Sequence, residues 1–317
     1  MCGIAGIFAK SEDAQEHLGS RLADMLVVLT DRGPDSAGAA IYGEPVAEGA
    51  VRLSLLDPSG ASRDWEAVAA RIGGFGPARV LADRRDQATL VVDGVGDAAE
   101  RTGTDGTLAL RAFLAEHLPD LLVLSAGSSI ETVKRAGRPG APGGLIETVG
   151  LRGMRGSHAL GHTRMATESR VTTEHSHPFS TGPDLCLVHN GSLSNHNRLR
   201  RLLRRQGVSF ATDNDSEVAA GYLTWRFLEG DGLAAALDRA VADLDGFFTF
   251  AIGTRDGFAV MRDPIGCKPA VLAETDDWVA MASEHRAIAV LPGAEDARVW
   301  EPEPGRIYSW SREPVAA

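Results

Sequence analysis

Four short β-rich runs follow one another at 247–252, 258–262, 270–273 and 278–282, and two of the breaks between them hold the turn residues Arg255, Asp256, Gly257 and Asp276, Asp277. A parallel connection needs a crossover of about a dozen residues or more, so strands this close in sequence pair as antiparallel hairpins. Helical periodicity flanks them. Leu18, Leu22, Met25, Leu26 and Leu29 recur at helical spacing, and 217–228 and 233–244 read as two further helices. At the other end of the chain, 3–8 is short, apolar and glycine-punctuated, which suits a strand that presents Cys2 at a sheet end. The expectation is an α+β fold.

Between 45 and 157 the texture changes. Gly, Pro and Asp separate short elements at 88–92, 108–117 and 121–124, as in an α/β insert within a larger domain. After 121–124 comes Ser125-Ala126-Gly127-Ser128-Ser129, read as a turn into a helix whose N-terminal amides could face an anion or simply turn the chain. With 317 residues and 44% apolar content the chain can bury one large core or a core plus an appendage.

A formal net charge of -11 disfavours nucleic acid as a partner. One basic run opposes that trend: Arg198, Arg200, Arg201, Arg204 and Arg205 alternate with Leu199, Leu202 and Leu203 after the candidate caps Ser194 and Asn195. It reads as an amphipathic helix with a solvated basic face, with docking of an acidic partner as the alternative. Neither a long apolar span nor a basic-then-apolar export signal is present, so the expectation is no membrane and a cytoplasmic location.

Cys2, Cys186 and Cys267 lack the CxxC spacing of a zinc site and cannot all pair within one chain. Cys186 sits in the apolar run 185–188 and reads as a buried small hydrophobe. Cys2 permits different chemistry. Excision of Met1 would put a thiol and a free α-amine on one residue, and groups titrating near ~8.5 and ~7.7–8.0 exchange protons efficiently around neutral pH. Cleavage of a glutamine amide further requires a cation for the α-carboxylate, an anion for the α-ammonium and donors for the oxyanion. Arg164 in Gly161-His162-Thr163-Arg164 supplies the first, Asp215 in Asn214-Asp215-Ser216-Glu217 the second, and Asn190-Gly191 the third. Each also has a plain reading: Arg164 as an ion-pair partner, Asp215 as a helix cap, Asn190-Gly191 as a type I′ hairpin turn.

Taken in order, Cys2-Gly3-Ile4, Arg32-Gly33-Pro34-Asp35-Ser36-Ala37-Gly38, His162-Thr163-Arg164, His177-Pro178, His189-Asn190-Gly191, Asp215-Ser216-Glu217, Arg262-Asp263-Pro264-Ile265-Gly266 and Ala282-Ser283-Glu284 resemble the glutaminase domain of class II, N-terminal-nucleophile glutamine amidotransferases. The resemblance covers 2 to about 45 and 158 to about 290. It implies an αββα sandwich spanning 2–290, interrupted by the insert at 45–157, with 291–317 as a C-terminal extension. It implies Cys2 as nucleophile, Asn190 and Gly191 as the oxyanion site, Arg164 and Asp215 as glutamine clamps, Arg32 near a glutamine loop and His177 in the binding region. His162, His175, His177 and His189 become supporting groups rather than metal ligands. Met165 and Cys267 depart from the commoner family residues.

The finer combination at 161–169 and 214–222 resembles the amidotransferase-like subunit of N-methylglutamate synthase and related split glutamate synthase systems. That implies glutamine or γ-glutamylmethylamide as donor and no cofactor in this chain. It also implies glutamate-synthase-like partner subunits carrying FMN and an iron–sulfur cluster. A binding-only regulatory or scaffolding subunit is the alternative.

Overall fold

The computed structural model describes residues 2–97, 105–166 and 171–312. Met1 and residues 167–169 of the motif beginning at Gly161 lie outside them, as does the end of the expected extension.

Strand β1 (Gly3–Ala9) sits inside a seven-stranded sheet, and the alternation of its side chains decides how the layers stack. Ala5, Ile7 and Ala9 join a core with Leu22, Met25 and Leu26 of α2 (Leu18–Val28), a helix preceded by the short α1 (Glu12–Glu16). Ile4 and Phe8 join a different core, with Val188, Ala251 and Val260 of a second sheet. Gly6 faces that second sheet at close range. A Cβ there would stand 2.6 Å from the Phe258 ring, so the two sheets approach only because this position has no side chain.

The first sheet also contains β2 (Ser36–Tyr42), β7 (Ile130–Ala136), β8 (His158–Arg164), β12 (Val271–Glu274), β13 (Trp278–Ala282) and β14 (Arg298–Trp300), in the order β14-β12-β13-β1-β8-β2-β7. Every pairing in it is antiparallel. The second sheet runs β15-β11-β10-β9, from β9 (Cys186–Leu193), β10 (Gly246–Gly253), β11 (Gly257–Arg262) and β15 (Ile307–Ser311). Its outer face is covered by α6 (His196–Arg205), α7 (Asp215–Leu228) and α8 (Leu233–Asp243), whose Leu199, Leu203, Val218, Leu223 and Leu237 pack with Leu187, Phe248 and Phe250. The short α5 (Leu145–Thr148) and α9 (His285–Ile288) lie on the α2 side. This is the expected αββα sandwich. Residues after 290 add an edge strand to each sheet, β14 beside β12 and β15 beside β11.

Within the stretch read as an insert, β3 (Val51–Leu56), β4 (Ala78–Asp83), β5 (Gln87–Val92) and β6 (Leu122–Gly127) form their own antiparallel sheet. Together with α3 (Trp65–Ile72) and α4 (Gly106–His117) it encloses a separate core around Leu53, Trp65, Leu90 and Leu110. The Ser-rich segment after β6 does not start a helix. It leads into β7, where Ile130, Thr132 and Val133 are β-branched, and β7 pairs with β2 of the first sheet. An anion does sit at this turn, and it belongs to the chain: Asp184 accepts from the amides of Ser128, Ser129 and Ile130 at 2.7–3.0 Å and from both serine hydroxyls.

The basic helix α6 forms, but its arginines do not all face solvent. Arg200 is buried, donating to the Thr212 and Asn214 carbonyls at 2.7 and 2.9 Å and lying over the Phe210 ring. Asn195 occupies the N-cap position without a side-chain cap bond. Its amide instead ties Asp243 O and Asp245 N. Among the described residues no helix is long and apolar enough to cross a membrane.

Candidate active site

Residue 2 is fixed by what happens one and two residues later. Gly3 pairs with Thr163 of β8, and Ile4 exchanges hydrogen bonds with Ser283, its N–H donating to Ser283 Oγ at 2.9 Å and its carbonyl accepting from Ser283 N at 3.0 Å. Cys2 therefore stands, half-buried, at the end of a central strand. Its Sγ lies 3.8 Å from the Met165 carbonyl oxygen. Its own carbonyl accepts from Arg32 Nε at 3.0 Å and from Asn190 Nδ2 at 3.3 Å.

Arg32 ends a 3₁₀ turn, Leu29–Arg32, that continues α2. The same side chain pairs through Nη1 with Glu284 at 2.6 Å. Hydrogen bonding from Arg32, reinforced by Arg286, holds the Glu284 carboxyl below its usual range against the opposing effect of burial. Gly33 follows where the chain crosses the Thr163 backbone too closely for any side chain.

Asn190 and Gly191 are not a turn. They lie inside β9, opposite Thr249 and Phe248 of β10, and Asn190 reaches from the second sheet to Cys2 on the first. Gly191 has φ +152°, and a Cβ there would stand 2.7 Å from His189 Nε2. Nor is Asp215 a cap. Asn214 caps α7 by accepting from Ser216 N at 2.9 Å, which leaves Asp215 as the first helical residue, with Oδ2 accepting from Leu193 N at 2.9 Å. Asp215 is thereby tied to the strand that carries Asn190 and Gly191.

Arg164 closes β8 opposite Ser36, and Asp35 N donates to its carbonyl at 3.1 Å. Burial pushes its guanidinium below the ordinary value, and Cys2 and Asp35 act in the opposite direction. Asp35 also accepts from Ala166 N at 2.8 Å, which fixes the chain beside Met165.

His177 is 5% exposed, so it is buried rather than at an open surface. It stacks on His162 at 4.0 Å between ring centroids, and its Nε2 is 3.3 Å from Ser216 Oγ. His162 in turn donates from Nε2 to the His189 carbonyl at 3.0 Å, while His189 Nδ1 meets Ser216 Oγ at 2.8 Å. Burial pushes all three imidazoles down, His162 to about 3, so they are neutral near pH ~7. His175 stands apart, against Thr172 Oγ1 at 2.8 Å. Among the described residues no group of three or more His, Cys, Asp or Glu could hold a metal ion.

These contacts meet at Ser216, whose signal in the sequence is its place inside Asp215-Ser216-Glu217. Cys186 is fully buried and its thiol is pushed up to about 12, whereas Cys267 is exposed. Surface cavities of about 610 Å³ (Val27, Pro139, Ile146, Glu147, Arg152) and 200 Å³ (Arg52, Glu131, Arg155) lie elsewhere and do not include Cys2.

Known proteins resemble this chain in sequence and in fold. Two family models, each described as a glutamine amidotransferase domain, match residues 1–64 and 162–290. The chain is 50% identical over 318 residues to the glutamine amidotransferase-like protein GlxB of Rhizobium meliloti (strain 1021), covering 100% of both chains. It is 31% identical to a putative glutamine amidotransferase of Methanothermobacter thermautotrophicus, covering 97% of this chain and 99% of that one. In fold it is similar to glutamine phosphoribosylpyrophosphate amidotransferase from B. subtilis, with a TM-score of 0.58 at 20% identity over 98% of this chain and 47% of that chain. The sandwich is thus the N-terminal-nucleophile type, and full-length similarity at these identities places the chain in the glutamine amidotransferase family.

Proposed function

We propose that this chain is the amide-hydrolysing subunit of a split amidotransferase, acting on glutamine or γ-glutamylmethylamide through a thioester on Cys2. The observation that carries the reading is the bridge from Asn190 Nδ2 to the Cys2 carbonyl, which holds a nucleophile and an oxyanion donor together across two sheets. At 3.3 Å that bond is long, so the amide can exchange it for a substrate oxyanion at little cost.

In this reading, removal of Met1 frees the Cys2 α-amine, which takes the thiol proton. The thiolate attacks the side-chain carbonyl carbon of the donor, and its oxygen becomes an oxyanion facing Asn190 Nδ2 and the Gly191 N–H. The amine returns the proton to the leaving nitrogen as the C–N bond breaks, releasing ammonia or methylamine. Water then adds to the thioester, glutamate leaves, and the thiol is restored. Arg164 binds the α-carboxylate and Asp215 the α-ammonium. Arg32 and His177 act behind the site, one on the Cys2 carbonyl and the other on Ser216. Released amine passes to glutamate-synthase-like partner subunits that carry FMN and an iron–sulfur cluster, in N-methylglutamate or glutamate synthesis.

The test combines intact mass with a donor panel. The chain purified from its native source, with its co-purifying subunits, should lack Met1 and release ammonia or methylamine from one of the two amides. Cys2→Ser should lower that release by at least about a thousandfold while the chain stays folded. Retained Met1, or no release from either donor, would overturn the reading.

A further inference from the structure

Ser216 Oγ is buried and has three polar neighbours: His189 Nδ1 at 2.8 Å, Asp215 Oδ1 at 3.2 Å and His177 Nε2 at 3.3 Å. A hydroxyl carries one proton, so at most one neighbour accepts from it and the others must donate to it. An ionised carboxylate has nothing to donate. All three contacts are hydrogen bonds only if Ser216 donates to Asp215 and both imidazoles donate to Ser216. That places the ring protons on His189 Nδ1 and His177 Nε2.

The bare nitrogen left on His189 is Nε2. It is buried, has no hydrogen-bond partner among the described residues, and lies 2.7 Å from where a Cβ of Gly191 would stand. The Phe247 carbonyl oxygen lies nearer still to that point, at 2.0 Å, but makes no hydrogen bond with the ring, so the opposite tautomer would leave a buried N–H without a bonded acceptor, which native structures rarely do. The His189 ring edge and the Phe247 carbonyl of β10 therefore flank Gly191 together, and its φ of +152° is open to few residues other than glycine.

Asp215, Ser216 and His189 have the composition of a hydrolase triad but the wrong geometry for one. The hydroxyl bonds directly to the carboxylate and is buried, so it cannot attack a substrate. We propose instead that Ser216 is a positioning residue: it fixes the tautomer and ring of His189, which seats Gly191 so that its N–H is aimed at the oxyanion. The proposal rests on the amide-cleaving reading of Cys2, Asn190 and Gly191 for its consequence, although the tautomer is decided by hydrogen counting alone.

Ring ¹⁵N NMR of the full chain labelled in histidine tests it directly, because protonated and bare ring nitrogens resonate apart. His189 should be protonated only on Nδ1 in the wild-type chain and a mixture of tautomers in Ser216→Ala. For amide cleavage by the complex, Ser216→Ala should lower kcat by about ten- to a hundredfold and raise KM by less than about threefold, because Asp215 keeps its bond from Leu193 N. Ser216→Thr, which restores the hydroxyl, should recover the tautomer and most of kcat. Protonation of His189 on Nε2 in the wild type, or an unchanged kcat in folded Ser216→Ala, overturns the proposal. Should Ser216→Ala not fold, the wild-type tautomer still decides. A wild-type complex that cleaves no amide would instead overturn the functional reading and leave the tautomer measurement standing.

Discussion

Arg32 and Cys2 are joined by one hydrogen bond, Nε to the carbonyl oxygen at 3.0 Å, and the far side of the same guanidinium pairs with Glu284 at 2.6 Å. The arginine thus spans from the residue that precedes β1 to the residue that follows Ser283, where β1 is pinned. A planar fork with donors on two edges fits this task, and a lysine does not. Arg32→Lys should therefore behave nearly as badly as Arg32→Ala. Both should lose about 1.5–3 kcal/mol of stability, the usual contribution of hydrogen bonds to charged groups, and both should slow turnover more than they weaken donor binding. Urea titration with parallel kcat and KM measurements checks this, and full rescue by lysine would count against a two-pronged role.

Asp184 collects five hydrogen bonds from Ser128, Ser129 and Ile130 and has φ +47°. This latch ties the segment carrying His177 to the connection between β6 and β7. Asp184→Asn keeps the shape but turns one end from acceptor to donor, against amides that also donate. The expected cost is about 2–4 kcal/mol, read as a lower urea midpoint with unchanged slope. A change below about 0.5 kcal/mol would mean that the latch is dispensable.

Acid should destabilise the fold before it titrates most carboxylates. Burial pushes His158 and His162 to about 3 in the folded chain, whereas unfolded histidine titrates near ~6.5. Folded values below unfolded ones mean that the unfolded chain takes up protons first. The stability linked to these rings is complete above pH ~6.5 and is lost as pH falls toward about 3, at up to ~1.4 kcal/mol per pH unit for each histidine. Urea midpoints measured between about pH 7 and pH 5 should fall steadily. A flat profile across that window would show that these rings are not buried neutral.

Arg200 holds the Thr212 and Asn214 carbonyls and so sets the loop that delivers Asp215 to the start of α7. Arg200→Leu should raise KM for the amide donor by about tenfold, with a smaller effect on kcat, because it loosens a clamp rather than the oxyanion donors. Arg201→Leu, on the exposed side of the same helix, should leave KM within about twofold. Equal effects from the two substitutions would restore the view of α6 as a uniform solvated face.

Short-range pattern was enough to read much of this protein. The hairpins from 246 to 282, helices α2, α7 and α8, and strand β1 follow from apolar periodicity and turn residues a few positions apart. The ordered motifs also named the residues that converge: Cys2, Arg32 and Asn190 meet through hydrogen bonds, and Asp215 joins the strand that bears Asn190 and Gly191. Tertiary structure decided which of two competing local meanings each segment takes. Asn190-Gly191 has the composition of a turn but lies in a strand because β10 pairs across it. The serines after β6 cradle an anion without a helix because Asp184, far along the chain, supplies the carboxylate. Arg200 is buried because two carbonyls of the loop before α7 need a donor. Ser216 became visible as a hub only when β9, α7 and the His177 segment were brought together. Periodicity records which face of an element is apolar, but the partner of a polar group depends on chain segments distant in sequence, and only the folded structure places those.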